Sequence, residues 1–345
     1  MNSGTRQALA DPSASPPIPM DLLVVETLEA DVLEWLALRH SIRRAPDLAH
    51  TPREFRRSLH NVRAAIIPAS VTIDAETLDF APVLKAIGRV SPGAENLDLA
   101  ACERRQIEVV RSLTASARAE AEFAIGAVLS LLRRVPVRNA DGSVTGRELG
   151  GATVGLVGMS PTARSIAQLL SGFGARVIGY DPALHASDNS WQLWKVAPVG
   201  LRELFERADV VSVQLAYFSR YHGLLGGRFL THCKPSQVLV STAHSGLFDE
   251  TALAAALKSG RIAAAWFDSL EPGALDPERP LHGIPTLQVT PRVAAITREA
   301  RQRSAWAVAR RIDELLEVVP KSASDFSETT IPGGLADLEA ATWSH

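Results

Sequence analysis

The sequence predicts an α/β protein built on parallel strands, and three observations carry that prediction. Short apolar runs alternate with amphipathic stretches along most of the chain, which is the pattern of strand–helix–strand crossovers. Some runs are apolar throughout, such as AAIIP at 64–68, as expected of a strand covered on both faces. Residues 153–181, TVGLVGMSPTARSIAQLLSGFGARVIGYD, read as one complete strand–turn–helix–strand unit. At 345 residues the chain has room for two domains.

The elements follow in order. LLVV at 22–25 signals the first strand, and 31–38 a short helix with Val32, Trp35 and Leu36 inward. A helix at 52–59 precedes the strand at 64–68, and SVTIDAETL after it reads as loop, then helix. LKAIGRV at 84–90 is another strand, then come a helix at 98–105 and a strand at 107–111. A long apolar helix spans 119–134, and the polar, glycine-rich stretch to 151 reads as an irregular arm. After the central unit the pattern predicts a helix at 201–207, strands at 209–215 and 238–241, and a helix at 250–259. Strands at 262–267 and 287–290 follow. The closing helix at 298–318 carries Trp306, Ala309, Ile312 and Leu316 on one stripe.

The central unit has the length of a dinucleotide-binding unit. Its turn begins at Gly158, and backbone N–H groups at the start of the following helix would receive a pyrophosphate. Its helix places Ile166, Leu169 and Leu170 on one face. Asp181 ends the second strand, 23 positions after Gly158 (181 − 158), where a carboxylate accepts hydrogen bonds from a ribose diol and repels a 2′-phosphate. NAD is therefore expected over NADP. A full fingerprint has glycines at 158, 160 and 163, and this chain has Gly158, Ser160 and Ala163. Ser160 is the costly departure, because the second glycine admits the pyrophosphate close to the backbone.

Composition narrows the function classes. A chain 46% hydrophobic and 21% charged is typical of a globular protein. The formal net charge of −2 offers no electrostatic attraction to nucleic acid or to an anionic membrane. Cys102 and Cys233 are isolated and lack CxxC partners, which suits ordinary thiols in a reducing, cytoplasmic compartment. No His/Cys/Asp cluster has metal spacing, so no metal is expected. The stretch 1–19, rich in Ser, Pro and Ala, reads as a disordered extension, and 321–345 as a loosely ordered tail.

Five segments together resemble the NAD-dependent D-isomer-specific 2-hydroxyacid dehydrogenase family. They are GAENLDLAACERRQIEV with Gly93 and Asn96 in register, AEFAIGAVLSLLRR, TVGLVG…GYDP, ADVVSVQL…KPSQVLVSTAHSGLFDETAL, and WFDSLEP with VTPRVAAIT. The resemblance covers about 20–320. It implies a Rossmann doubly wound NAD-binding domain at 119–292, inserted into a flavodoxin-like substrate domain made of 20–118 plus 293–320, with the active site between them. It implies that Gly158, Ser160, Pro161, Thr162, Asp181, Ala216, Ala243 and Asp268 face the cofactor. It also implies that backbone near Ser70, Val71, Pro92 and Gly93 holds a substrate carboxylate, Pro92 being one donor short.

The resemblance breaks at the chemistry. The family uses an arginine to grip the substrate, a histidine as general acid/base and a glutamate that raises the histidine's pKa. Glu271 matches the glutamate, but His244 stands at the arginine's place, Ser245 at the following glycine's and Arg292 at the histidine's. Arginine stays protonated and cannot act as a base near neutral pH. Three readings stay open. In the first the roles are exchanged, with Arg292 gripping a small 2-keto or 2-hydroxy acid and His244, paired with Glu271, moving the proton. In the second the chain is an inactive or repurposed NAD-binding scaffold, and in the third it catalyses another reaction with bound NAD. A homodimer is expected, since the helix at 119–134 carries more apolar residues (Phe123, Ile125, Val128, Leu129, Leu132) than one buried face needs.

Overall fold

Continuous apolar runs bury both faces of a strand, and here they assemble into two sheets paired parallel throughout. The computed structural model describes residues 20–317, apart from 92, 95, 113, 135–136 and 139–140. The expected extension at 1–19, the tail at 321–345 and Pro92 lie outside the described residues.

The first sheet contains β1 (Met20–Val24), β2 (Ile42–Arg44), β3 (Val62–Ile66), β4 (Ala86–Arg89) and β5 (Glu108–Arg111), in the order β2-β1-β3-β4-β5. That is the flavodoxin-like order. Helices α1 (Ala30–Ala37), α2 (Pro52–Ser58), α3 (Ala75–Asp79) and α4 (Leu99–Arg104) cover it. One apolar cluster lies on each face, around Leu23, Phe55 and Ile87 on one side and around Leu22, Ile66 and Ile312 on the other. β2 is an edge strand of three residues, Ile-Arg-Arg, and has no apolar run that would have announced it.

The chain then crosses to α5 (Ala117–Arg134) and a short antiparallel hairpin of β6 (Val137–Arg138) and β7 (Val144–Thr145). The second sheet follows with β8 (Thr153–Val157), α6 (Pro161–Phe173), β9 (Arg176–Tyr180), α7 (Ser190–Leu193), β10 (Ala197–Pro198), α8 (Leu201–Arg207) and β11 (Val210–Val213). It continues with α9 (Gly227–Leu230), β12 (Gln237–Ser241), α10 (Glu250–Lys258), β13 (Ile262–Phe267) and β14 (Leu287–Val289). The order β10-β9-β8-β11-β12-β13-β14 is the doubly wound Rossmann order with one added edge strand.

The last helix, α11 (Arg298–Glu317), returns to the first sheet. It approaches β4 so closely that a Cβ on Gly88 would lie 2.6 Å from Val308 Cγ1 and 2.8 Å from Ile312 Cδ1. His40 Nε2, 2.7 Å from Asp313 Oδ1, joins the end of α1 to α11.

Three packing expectations change. On α6 the buried stripe is Ala163, Ile166, Ala167 and Leu170, while Leu169 faces outward. Trp35 and Trp306 are half-buried and meet edge to face at 5.6 Å on the rim of the α1–α11 contact, with Leu33 and Val308 taking the inward places. On α5, Ile125, Val128 and Leu132 are buried and Phe123 meets the Trp266 ring edge-on at 5.9 Å. The apolar excess that suggested a second contact is thus largely taken up inside the chain.

Candidate functional site

In a doubly wound sheet the ligand crevice opens at the carboxyl ends of the strands, where the strand order reverses, here between β8 and β11. Gly158 makes the turn out of β8 with φ +90°. A Cβ there would lie 2.5 Å from Leu215 Cα and 2.6 Å from its nitrogen, so backbone of the neighbouring strand excludes any side chain. Asp181, just past β9, accepts the Met159 N–H on one carboxylate oxygen (2.7 Å) and the Ala183 N–H on the other (2.8 Å). The carboxylate is fixed beside the turn and keeps acceptor capacity for hydroxyl donors. Ala216 is exposed at the end of the β11 segment, and Ala243 is half-buried after β12.

The first turn of α6 is largely occupied by the chain itself. Ser160 is the N-cap, and its hydroxyl accepts the Ala163 N–H at 3.3 Å. Pro161 stands at the first helical position and brings no N–H. The Thr162 N–H is the donor the first turn leaves for a ligand. The Thr162 hydroxyl donates to the Glu120 carboxylate of α5 at 2.7 Å. The glycine turn and Asp181 fit the adenosine part of NAD, and the pyrophosphate meets a reduced set of donors.

Between the two sheets lies a cleft of about 400 Å³. Arg89 lines it from the end of β4 and Gly93 from the loop after it, Glu120 from α5, and His244, Asp268 and Arg292 from the loops of the second sheet. His244 stacks on the Tyr217 ring (centroids 4.3 Å apart, planes at 17°). Its Nδ1 accepts the Gly246 N–H at 3.0 Å, so hydrogen-bond logic places the proton of the neutral ring on Nε2. Glu271 Oε1 lies 3.9 Å from that Nδ1, within ion-pair range but beyond hydrogen-bond reach. Glu271 was expected within hydrogen-bond reach of His244, of Arg292, or of both; toward His244, the Gly246 N–H occupies the nitrogen that would make the bond. Gly246 also makes the convergence possible, since a Cβ there would be 3.0 Å from His244 Nδ1 and 3.1 Å from both Glu271 Oε1 and the Tyr217 ring. Ser245, at the family's glycine place, accepts the Glu271 N–H on its hydroxyl (3.0 Å) and anchors that segment.

Arg292 has a left-handed backbone, φ +56°. Its N–H donates to Asp268 O at 2.6 Å, and its Nε lies 3.4 Å from Ser269 Oγ. Asp268 is buried and fastens this loop by accepting the Thr290 hydroxyl (2.8 Å) and the N–H groups of Val293 (2.9 Å) and Ala294 (3.0 Å). Much of its acceptor capacity is thus structural.

Not every expected residue reaches the cleft. Val71 spends its N–H on Pro68 O (3.2 Å), and Ser70 and Val71 line a separate pocket of about 100 Å³ near α2, away from His244 and Arg292. Conversely, sequence reasoning passed over Arg89, Glu120 and Thr242. Arg89 is only 1% exposed, and its guanidinium donates to Asn96 Oδ1 and, at 2.7 Å, to Ser91 Oγ. A charged residue at the carboxyl end of an apolar strand was the available signal, because those ends face the crevice. Thr242 donates its hydroxyl to Gln214 Oε1 at 2.6 Å in the cleft wall. Among the described residues no group of three His, Cys, Asp or Glu side chains is placed to hold a metal ion.

Comparison with known proteins agrees with this architecture. Residues 126–294 match the family model described as D-isomer specific 2-hydroxyacid dehydrogenase, NAD binding domain. The chain is 33% identical over 292 residues to a D-3-phosphoglycerate dehydrogenase of Mycobacterium tuberculosis, covering 81% of this chain and 53% of that protein. It thus spans about half the length of the phosphoglycerate dehydrogenases it is similar to. It is 32% identical over 265 residues to an (S)-sulfolactate dehydrogenase of Chromohalobacter salexigens, covering 74% of this chain and 85% of the relative. Among solved structures, a protein of Thermus thermophilus superposes with TM-score 0.69 at 28% identity, over 86% of this chain and 97% of that one.

Proposed function

The chain belongs to the NAD-dependent D-isomer-specific 2-hydroxyacid dehydrogenase family, and on that premise we propose that it is an oxidoreductase acting on a small carboxylate-bearing 2-keto or 2-hydroxy acid with exchanged catalytic roles. The NAD-binding unit is taken as 119–292 and the substrate unit as 20–118 plus 293–320. The observation that carries the proposal is one cleft holding an imidazole, His244, with two guanidinium groups, Arg292 and Arg89. Arg292 holds the substrate carboxylate, and a guanidinium can do so bidentately. To donate from Nε2, His244 must first be protonated at Nδ1 in place of the Gly246 N–H bond, and donation then leaves the neutral Nδ1–H tautomer. Glu271 Oε1, 3.9 Å from Nδ1, is the carboxylate that a proton on Nδ1 would face. Gly158, Thr162 and Asp181 would hold NAD, which when bound supplies or accepts the hydride. Arg89 and Gly93 line the substrate side.

The test compares 2-keto acids with NADH at 340 nm. His244→Ala should lower kcat by about 10²–10⁴-fold, the usual share of a general acid/base, while leaving NAD affinity nearly unchanged. Arg292→Lys should raise KM more than it lowers kcat. The second reading, a nucleotide-binding scaffold, is favoured by the crowded first turn of α6. Reductase activity gained by His244→Arg with Arg292→His, from an inactive wild type, would select it. A homodimer is also proposed, and light scattering should give about twice 37.0 kDa.

A further inference from the structure

Bound NAD would bring its pyrophosphate to the start of α6. Helix N-termini attract anions because their first N–H groups lack partners and the helix dipole adds positive potential. In this chain those attractions are reduced to the Thr162 N–H and met by a negative charge. Ser160 caps the Ala163 N–H, Pro161 has none to give, and the Thr162 hydroxyl carries a carboxylate, that of Glu120, at 2.7 Å. Glu120 is held in place as part of the first turn of α5, where its N–H donates to Ser116 O at 2.9 Å, and it lines the same cleft as His244 and Arg292.

Arg89 and Arg292 line the same cleft as Glu120, while two arginines on α5 and α6 have other partners. Arg118, on the same helix, pairs with Glu122 at 2.9 Å. Arg164 of α6 donates from Nε to Met159 O (3.1 Å) and lies over the Trp194 ring at 4.4 Å. Among the described residues no ion-pair partner reaches the Glu120 carboxylate.

We propose that Glu120 is a specificity-determining residue of the cofactor site: a built-in anion that opposes the dinucleotide's pyrophosphate and sets how tightly this chain takes NAD. The inference rests on the NAD reading above. Glu120 penalises ligands in proportion to the phosphate charge they bring to α6, and it leaves the adenosine contacts at Asp181 untouched.

The experiment is calorimetric titration of the full chain and of Glu120→Gln with adenosine, ADP and NAD. The amide keeps the shape and still accepts from Thr162. Removing one like charge a few ångströms away should tighten ADP and NAD by about tenfold and leave adenosine unchanged. Glu122→Gln, on an exposed pair of the same helix, should change none of the three. Thr162→Val, which releases the carboxylate from α6 without removing it, should tighten ADP by less than Glu120→Gln does. Equal ADP affinity in wild type and Glu120→Gln overturns the proposal, and so does an equal gain for adenosine, which would mean packing rather than charge. Failure of Glu120→Gln to bind ADP and NAD also overturns it. In that case retained adenosine binding leaves the Asp181 site standing, and its loss ends the NAD reading as well.

Discussion

Gly158→Ala should damage both the fold and the cofactor site, and the size of the effect follows from the strand geometry. The added methyl would lie 2.5 Å from Leu215 Cα, 2.6 Å from Leu215 N and 2.9 Å from Gln214 C. All three are backbone atoms, so no side chain can swing aside, and ordinary contact requires the strands to part by about 1 Å. β8 lies inside the sheet between β9 and β11, so parting them strains the bonds from Gln214 N–H to Val157 O (2.8 Å) and from Gly158 N–H to Tyr180 O (2.7 Å). Those two bonds are worth about 1 kcal/mol each. The left-handed φ adds about 1–2 kcal/mol once a Cβ is present. The sum is about 3–4 kcal/mol, a large share of a typical domain's stability. Urea denaturation followed by circular dichroism, with an NAD titration on the folded fraction, measures both effects. A loss below about 1 kcal/mol with unchanged NAD affinity would refute the reasoning, because a loss that small is common for single substitutions anywhere.

Asp181→Ala should weaken NAD binding and narrow or reverse the preference over NADP, since it removes the acceptor for the ribose diol and the repulsion of a 2′-phosphate. Tighter NADP than NAD binding in the wild type would sink the assignment. Asp209 should make the second sheet acid-labile. Burial pushes its carboxyl up, but the Lys234 ammonium (2.8 Å), the Thr153 N–H (2.8 Å) and the charges of Lys234 and Arg147 outweigh this and hold it below the ordinary 3.8. A depressed carboxyl contributes stability that is complete above its unfolded value and lost as pH falls through the folded one. Asp209→Asn should therefore flatten the fall in melting temperature below about pH 4, and an unchanged acid limb would count against this account. Burial also pushes the Cys233 thiol up to about 12, so it should resist alkylation at neutral pH until the protein unfolds. Labelling followed by mass spectrometry checks that.

Much of the architecture was legible along the chain because strand and helix periodicity is local. The strands at 176–180 and 262–267 and the helix at 201–207 coincide with the apolar runs that predicted them. The three-residue β2 and two-residue β10 had no such run, and only pairing with their neighbours makes them strands. The place of the turn at Gly158 and of Asp181 could be read from spacing within one short motif, and that of the substituted pair His244 and Arg292 from the family resemblance.

What those side chains touch could not. The sequence put Glu271 near His244, but Gly246, two residues further on, takes the ring nitrogen, a choice made by the curl of one short turn. Val71 was expected at the substrate and is turned away by a bond to Pro68. Arg89, Glu120, His244 and Arg292 lie far apart in the chain, and the cleft forms where the end of β4, the first turn of α5 and the loops after β12 and β14 meet. Periodicity reports which face of an element is buried, whereas a charge's partner depends on elements brought together over long sequence separations, so folding alone decided which charges share this cleft.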